Sequence, residues 1–273
     1  MLHLSLFTGI GGFDLGFARC GIHTVAMCEQ DKYCQRVLRK HWPDIEIHDD
    51  VTALDGEEYC GTIDIISGGD PCQANSAASS IRQSTALAFG GDFIRIVSEV
   101  LPTWVVRENP TKVRRDAPWS AERFAACLEE LGYGAVLLDM QCAALTGVRR
   151  ERTFVVGSDP SRISSFLDYV PIGEGTAWNI AQNVTPRAVL NALTCNPKRY
   201  DTRDNYIVQA NGRMRVPDTT ERLRCQGFPD DWLPDGISFT RAAKMAGNAM
   251  PVQIAEWLGI RIMEAEPRKC QKR

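Results

Sequence analysis

Six short apolar runs alternate with helical patterns between residues 2 and 158, and that alternation restricts the chain to one broad architecture. The runs "LHLSLF" (2–7), "HTVAMCE" (23–29), "IDIIS" (63–67), "TWVVRE" (103–108), "GAVLLDM" (134–140) and "RTFVVGS" (152–158) read as strands. Between them, residues 11–20, 30–41, 91–101 and 118–132 carry apolar side chains at helical spacing. The stretch "SAERFAACLEELGYG" opens on a serine cap and stops at glycine. Strands alternating with helices form a mostly parallel sheet with helices on both faces, an α/β fold of Rossmann-like type. Such sheets take ligands at the carboxyl ends of their strands.

The alternation stops near Asp159. Residues 160–216 are rich in Asn, Thr, Pro and Arg with weak periodicity, and helical character returns over 218–226 and 239–265. This predicts a larger domain over 1–159, completed by 240–266, and a small loop-rich domain over 160–239. A length of 273 residues and 44% hydrophobic content sustain a full core. No apolar run approaches the roughly 20 residues that span a bilayer. The mildly apolar start lacks the basic and cleavage regions of a signal peptide and reads as a first strand. The ten cysteines are scattered with no CxxC pair, which argues against zinc and for reduced thiols in the cytoplasm. The net charge of −3 decides nothing, but 187–224 holds eight Lys/Arg against four acids. "RENPTKVRR" (107–115) and "RRER" (149–152) are also basic. Such patches suit phosphates, although a solvated charged face has the same composition.

"LSLFTGIGGFDLGF" reads as strand, glycine turn and helix. Glycines admit a ligand close to the backbone, and a helix amino end favours negative charge. Glu29 ends the next strand, 20 residues after Gly9, the distance at which an acid takes a ribose diol. A dinucleotide GxGxxG turn would need glycine where Asp14 stands, so a nucleoside-bearing cofactor fits better than a pyrophosphate. A tight strand–helix turn without ligand would also look like this. Asp50, in "HDDVTAL", suits an adenine amino group or a simple turn.

"DIISGGDPCQANSAAS" (64–79) carries a cysteine just where an apolar strand runs out, with Pro71 stiffening the turn before it. Taken alone, Cys72 is most simply a small buried hydrophobe. Two neighbours change that. Glu108 ends the strand "VVREN" at the same sheet edge, where a carboxyl can act as an acid. Arg150 and Arg152, alternate residues ahead of the next strand, can project to one side. A cysteine, a glutamate and two arginines would then line one cleft beside the glycine turn.

The ordered series "FTGIGG", Glu29, Asp50, "PCQ", "EN", "RRER", "ERLRCQGFPDDW" and "AGNAMP" resembles the DNA (cytosine-5) methyltransferase family, notably its short bacterial and phage members, from residue 2 to about 260. The resemblance implies the S-adenosylmethionine-dependent methyltransferase version of the fold, with S-adenosylhomocysteine as product and no metal. Phe7, Thr8, Gly9, Gly11, Gly12, Glu29, Gln30, Asp50, Val51, Gly69, Pro71, Asn248 and Ala249 are then expected at the cofactor. Cys72 resembles the nucleophile and Glu108 the residue that binds and protonates cytosine. Arg150 and Arg152 resemble the arginines that support the active loop and the base. Residues 160–216 fall where the family keeps its target-recognition region. Gln73, Ser76, Arg199, Arg203, Arg213, Arg215, Arg224 and Gln226 are expected at DNA. Double-stranded DNA is the implied partner of a monomer in the cytoplasm, on the nucleoid or as a phage protein in a bacterial host. The resemblance leaves room for a cognate restriction enzyme. An RNA-methylating relative and a weakly catalytic DNA-binding relative remain as alternatives.

The chain departs from the family pattern at several places. Asp70 stands where phenylalanine is usual, Asn75 where an aromatic is common, Pro110 where valine follows "EN", and Val148 where glutamine precedes the arginines. The segment after Cys72, Ser76 to Gly91, is rich in small residues and suggests a lid. Asp70 matters most, because a carboxylate next to a thiol opposes thiolate formation. Either it points away, or it pairs with a cation, one of the nearby arginines being the candidate, or the enzyme is slow.

Overall fold

The computed structural model describes residues 1–71, 83–111, 119–146, 150–168, 207–208 and 213–267. The strands are β1 (Leu2–Leu6), β2 (His23–Cys28), β3 (Glu46–His48), β4 (Ile65–Gly68), β5 (Trp104–Pro110), β6 (Gly134–Gln141), β7 (Glu151–Ser158), β8 (Ile207–Val208) and β9 (Met214–Arg215). The helices are α1 (Gly12–Arg19), α2 (Lys32–His41), α3 (Gln83–Val100), α4 (Ala121–Glu130), α5 (Ala143–Thr146), α6 (Pro160–Asp168), α7 (Thr219–Cys225), α8 (Phe239–Asn248) and α9 (Val252–Ala265). Seven strands form one sheet in the order β3-β2-β1-β4-β5-β7-β6. The first five pair in parallel, and β7 runs antiparallel to both β5 and β6. The mostly parallel α/β sheet expected from the alternation is what forms.

The two-residue period of the strands builds both layers. Leu4, Leu6, Ile66, Val105 and Val155 face one way, onto Phe93, Ile96 and Val97 of α3 and Phe124 and Leu128 of α4. Ile65, Trp104, Val106, Phe154 and Val156 face the other way, onto α1, α6 and α9. The serine cap foreseen at residue 120 forms, accepting from the Arg123 amide, and Gly132 follows α4 at φ 89°. Two helical expectations change. The helix read over 91–101 begins at Gln83, so residues 83–91 of the expected lid are helical. The pattern over 239–265 breaks into α8 and α9 at Pro251, which has no amide to donate and restrains the residue before it.

The described ends of the 160–239 segment pack into the body. Ile163 and Phe166 of α6 join the α1–α9 layer. Leu223, Phe228 and Trp232 pack with Ile10, Val37 and Met245. Residues 169–206 and 209–212, which include Arg199 and Arg203, lie outside the described residues.

One buried polar network sits behind the first turn. A register shift between His3 and Leu4 pairs Thr24 with His3. The Thr24 hydroxyl donates to Asp14 Oδ1 (2.9 Å) and so accepts from His3 Nδ1 (2.9 Å), while Ser67 donates to His3 Nε2 (2.8 Å). Burial pushes the His3 pKa down to about 3 and the Asp14 pKa up to about 6. These shifts act in opposite directions on stability. The unfolded chain protonates His3 below its ordinary 6.5 and the fold does not, so acidification from 6.5 to 3 destabilises. The fold protonates Asp14 below about 6 and the unfolded chain only below 3.8, so acidification across that range stabilises. Between about pH 4 and 6 the slopes, roughly 1.4 kcal/mol per unit each, cancel. Asp14→Asn removes one of them. Urea unfolding at pH 4, 5 and 6 should show the variant losing roughly 1.4 kcal/mol per unit of acidification relative to the parent protein; parallel profiles would refute the linkage.

Candidate active site

The carboxyl ends of β1, β2, β4 and β5 bring the expected residues to one edge of the sheet. After β1 the chain turns sharply, with Phe7 at φ 52°, Gly9 at φ 60° and Gly11 at φ 84°. A left-handed phenylalanine is strained, and Thr8 helps to hold it there: its amide and hydroxyl both donate to the Cys28 carbonyl. Gly12 has no room for a side chain, since a Cβ would lie 2.1 Å from the Met250 carbonyl oxygen. Around Gly9 the same atom would meet nothing within 4 Å, so the turn is closed behind and open in front. Tryptophans brace its back: the Trp42 ring fills the space beside Gly11, and the Trp232 indole donates to the Ile10 carbonyl (2.9 Å). Trp232 in turn stacks on His41 at 3.6 Å between centroids. Sequence reading passed over these tryptophans because nothing local marks them as turn supports.

Glu29 is buried at the end of β2. Its Oε2 accepts from the Gly9 amide and its Oε1 from the Asp31 amide, both at 2.7 Å. Burial raises its pKa, and the Asp31, Gly9 and Gln30 amides oppose the rise. Gln30 beside it is exposed. Asp50 is exposed and turns back on Thr52, whose amide and hydroxyl donate to Oδ1. Val51 is buried, with its carbonyl accepting from Arg95.

Gly69 and Glu108 are in close contact; a Cβ on Gly69 would sit 2.9 Å from Glu108 Oε2. The Arg152 Nε lies 2.5 Å from Glu108 Oε1, off the hydrogen-bonding direction, and Arg150 Nη2 lies 3.9 Å from the same oxygen. Arg150 is buried and also donates to the carbonyls of Gly247 (2.6 Å) and Asn248 (3.5 Å). It therefore ties β7 and Glu108 to the end of α8, where Asn248 is exposed and Ala249 buried. Glu108, Arg150, Arg152 and Asn248 thus form one contiguous group beside the Gly69–Pro71 turn. Cys72, Gln73 and Ser76 follow that turn, outside the described residues, as does Val148.

Of the expected DNA contacts, one is placed otherwise. Gln226 is 1% exposed; its side-chain amide nitrogen donates to the Ala246 carbonyl, and its main-chain carbonyl accepts from the Val252 amide. It fastens α7 to α8 and α9 rather than facing outward. Arg215 makes two bonds to Glu221 (2.6 and 2.7 Å), and Arg224 pairs with Asp230. Arg213 is exposed. Arg107, counted above in a phosphate-binding patch, is also turned inward: it is 1% exposed and paired with Asp70. Among the described residues no cluster of His, Cys, Asp or Glu could hold a metal, and no helix is long and apolar enough to cross a membrane.

The profile of C-5 cytosine-specific DNA methylases matches residues 1–211. The chain is 28% identical over 324 residues to the type II methyltransferase M.FnuDI of Fusobacterium nucleatum, covering 96% of this chain and 94% of that one. It is 26% identical to M2.BsuMI of Bacillus subtilis, covering 94% and 74%. Among solved structures, a protein described as a prophage-encoded DNA modification methyltransferase from E. coli aligns at a TM-score of 0.67 and 18% identity, covering 97% of this chain and 99% of that one. The S. pombe Dnmt2 methyltransferase aligns at 0.71 and 13%, covering 96% and 98%. At these identities both structures attest the shared fold. With the profile spanning most of its length, the chain belongs to the C-5 cytosine-specific DNA methylase family.

Proposed function

We propose that this protein methylates carbon 5 of a cytosine flipped out of double-stranded DNA, using S-adenosylmethionine and a transient covalent bond to Cys72. The observation that carries the reading is the contact of Glu108 with Gly69, which sets an acid beside the turn leading to the cysteine. The pocket suits the cofactor. The Gly9, Asp31 and Gln30 amides engage the Glu29 carboxylate, and its four acceptor positions still leave room for a ribose hydroxyl. Asp14 replaces the glycine that a pyrophosphate turn would need and faces inward. When bound, S-adenosylmethionine supplies a methyl group on positively charged sulfur.

The residues act on the base. The Cys72 thiolate adds to carbon 6, and Glu108 gives a proton to ring nitrogen 3, so the ring electrons collect at carbon 5 and make it nucleophilic. After carbon 5 gains its methyl group it loses its proton to water, the electrons of that bond restore the double bond between carbons 5 and 6 as the bond from sulfur to carbon 6 breaks and frees the Cys72 thiolate, and nitrogen 3 returns its proton to Glu108. Arg152 and Arg150 orient the Glu108 carboxyl. Flipping costs a few kcal/mol, offset by contacts in the pocket. We place target recognition within the 160–239 segment, and exposed Arg213 is its best described candidate for a phosphate contact. Labelled S-adenosylmethionine incubated with duplex DNA and with tRNA tests the reading. Label should enter DNA, and bisulfite sequencing should locate it at cytosines of one short site. Label entering tRNA alone would move the assignment to RNA.

A further inference from the structure

We propose that Asp70, Arg107 and Asn109 form a positioning cluster that holds the turn before Cys72 against the strand bearing Glu108. The inference rests on the reading of Cys72 as nucleophile. Arg107 and Asn109 flank Glu108 on β5, so their side chains leave the strand on the face opposite to it. Both reach Asp70. Arg107 Nε donates to Oδ1 (2.6 Å) and Nη2 to Oδ2 (2.9 Å), and Asn109 Nδ2 donates to Oδ1 (2.8 Å). This is the bidentate geometry in which a guanidinium fixes a carboxylate in orientation as well as distance. Gly69, one residue earlier, lies against Glu108 itself. The turn is therefore held to β5 on both sides of the strand.

The same guanidinium reaches further. Arg107 Nη2 donates to the Trp119 carbonyl (3.0 Å), and the group lies 4.6 Å over the Phe124 ring of α4. The Trp119 ring rests on Gly90 of α3, where a Cβ would come within 2.4 Å of it. One buried cation thus connects the turn preceding Cys72 with the helix that begins at Gln83. It also answers the charge of Asp70, which would otherwise stand unbalanced two residues from a thiol that must ionise. A phenylalanine at position 70, as the family resemblance leads one to expect, would leave Arg107 buried without its carboxylate. The two residues are therefore exchangeable only together.

Three variants test the inference, each assayed per folded molecule for single-turnover methyl transfer, for KM of the cofactor and for adduct formation on 5-fluorocytosine DNA. Asp70→Asn keeps the shape and removes the charge; kcat and the adduct rate should fall 10- to 100-fold with cofactor KM within about threefold. Arg107→Lys, a milder change, should lower both rates three- to tenfold. The joint replacement Asp70→Phe with Arg107→Met, which substitutes apolar packing for the ion pair, should recover most of the loss. Asp70→Asn with an unchanged adduct rate overturns the inference alone; should that variant not fold, an unchanged rate in Arg107→Lys does so. Parent protein that forms no adduct overturns this inference together with the covalent reading.

Discussion

Cys72→Ser should abolish methyl transfer, lowering the single-turnover rate by about 10⁴-fold or more while cofactor affinity stays within a factor of about three. The size follows from chemistry. A thiol near neutral pH supplies a usable fraction of thiolate, whereas a serine hydroxyl supplies almost no alkoxide and adds poorly to carbon 6. Removing the nucleophile from other enzymes of covalent mechanism costs roughly 10⁴ to 10⁶ in rate. Cofactor affinity should survive because the pocket is fastened elsewhere. Glu29 is held by the Gly9 and Asp31 amides, and the glycine turn by Trp42, Trp232 and the Met250 carbonyl. Titration calorimetry with S-adenosylmethionine and a labelled-methyl assay separate the two quantities. A serine variant within tenfold of the parent rate would remove the covalent step from the mechanism.

The parts of this protein that were legible in the sequence are those written in local pattern. Period-two runs gave the strands, a serine and a glycine bounded α4, and the glycine turn with Glu29 one strand later pointed to the carboxyl end of the sheet, where the structure brings Gly9 and Glu29 into contact. What was not legible depends on pairing between distant residues. Asp70 posed a question at sequence level, and its answer, Arg107, lies 37 positions away on a neighbouring strand. Arg107 itself reads as surface charge because it precedes "ENPTKVRR"; only the strand parity that turns it inward, with Asp70 waiting there, makes it a core residue. Gln226 misled in the same manner. It sits in a motif-rich stretch among arginines, yet its amide closes a bond to the Ala246 carbonyl twenty positions on. Arg215 and Arg224 counted towards a basic segment, while Glu221 and Asp230, six residues from each, neutralise them locally. Composition counts charges; it does not count partners.

Glu108→Gln provides the sharpest separation of binding from chemistry. Glutamine has nearly the shape of glutamate, and its carbonyl oxygen can still face the Arg152 guanidinium. The arginines have other anchors: Arg150 donates to the Gly247 and Asn248 carbonyls and Arg152 to the Glu151 carbonyl. The fold should therefore persist, and the amide nitrogen can donate a hydrogen bond to ring nitrogen 3, so DNA affinity should change less than about threefold. What the amide cannot do is surrender a proton and take it back. Without that proton, charge from thiolate addition stays on the ring, and carbon 6 resists attack. General acid catalysis of this kind contributes roughly 10² to 10⁴ in rate, and kcat should fall by that factor with the KM for DNA nearly constant. Glu108→Asp, which keeps the proton but withdraws it by one methylene, should fall between the two proteins. If Glu108→Gln instead raised the KM for DNA and left kcat within fivefold, Glu108 would be a base-holding residue only, and the proton at nitrogen 3 would have to come from another group.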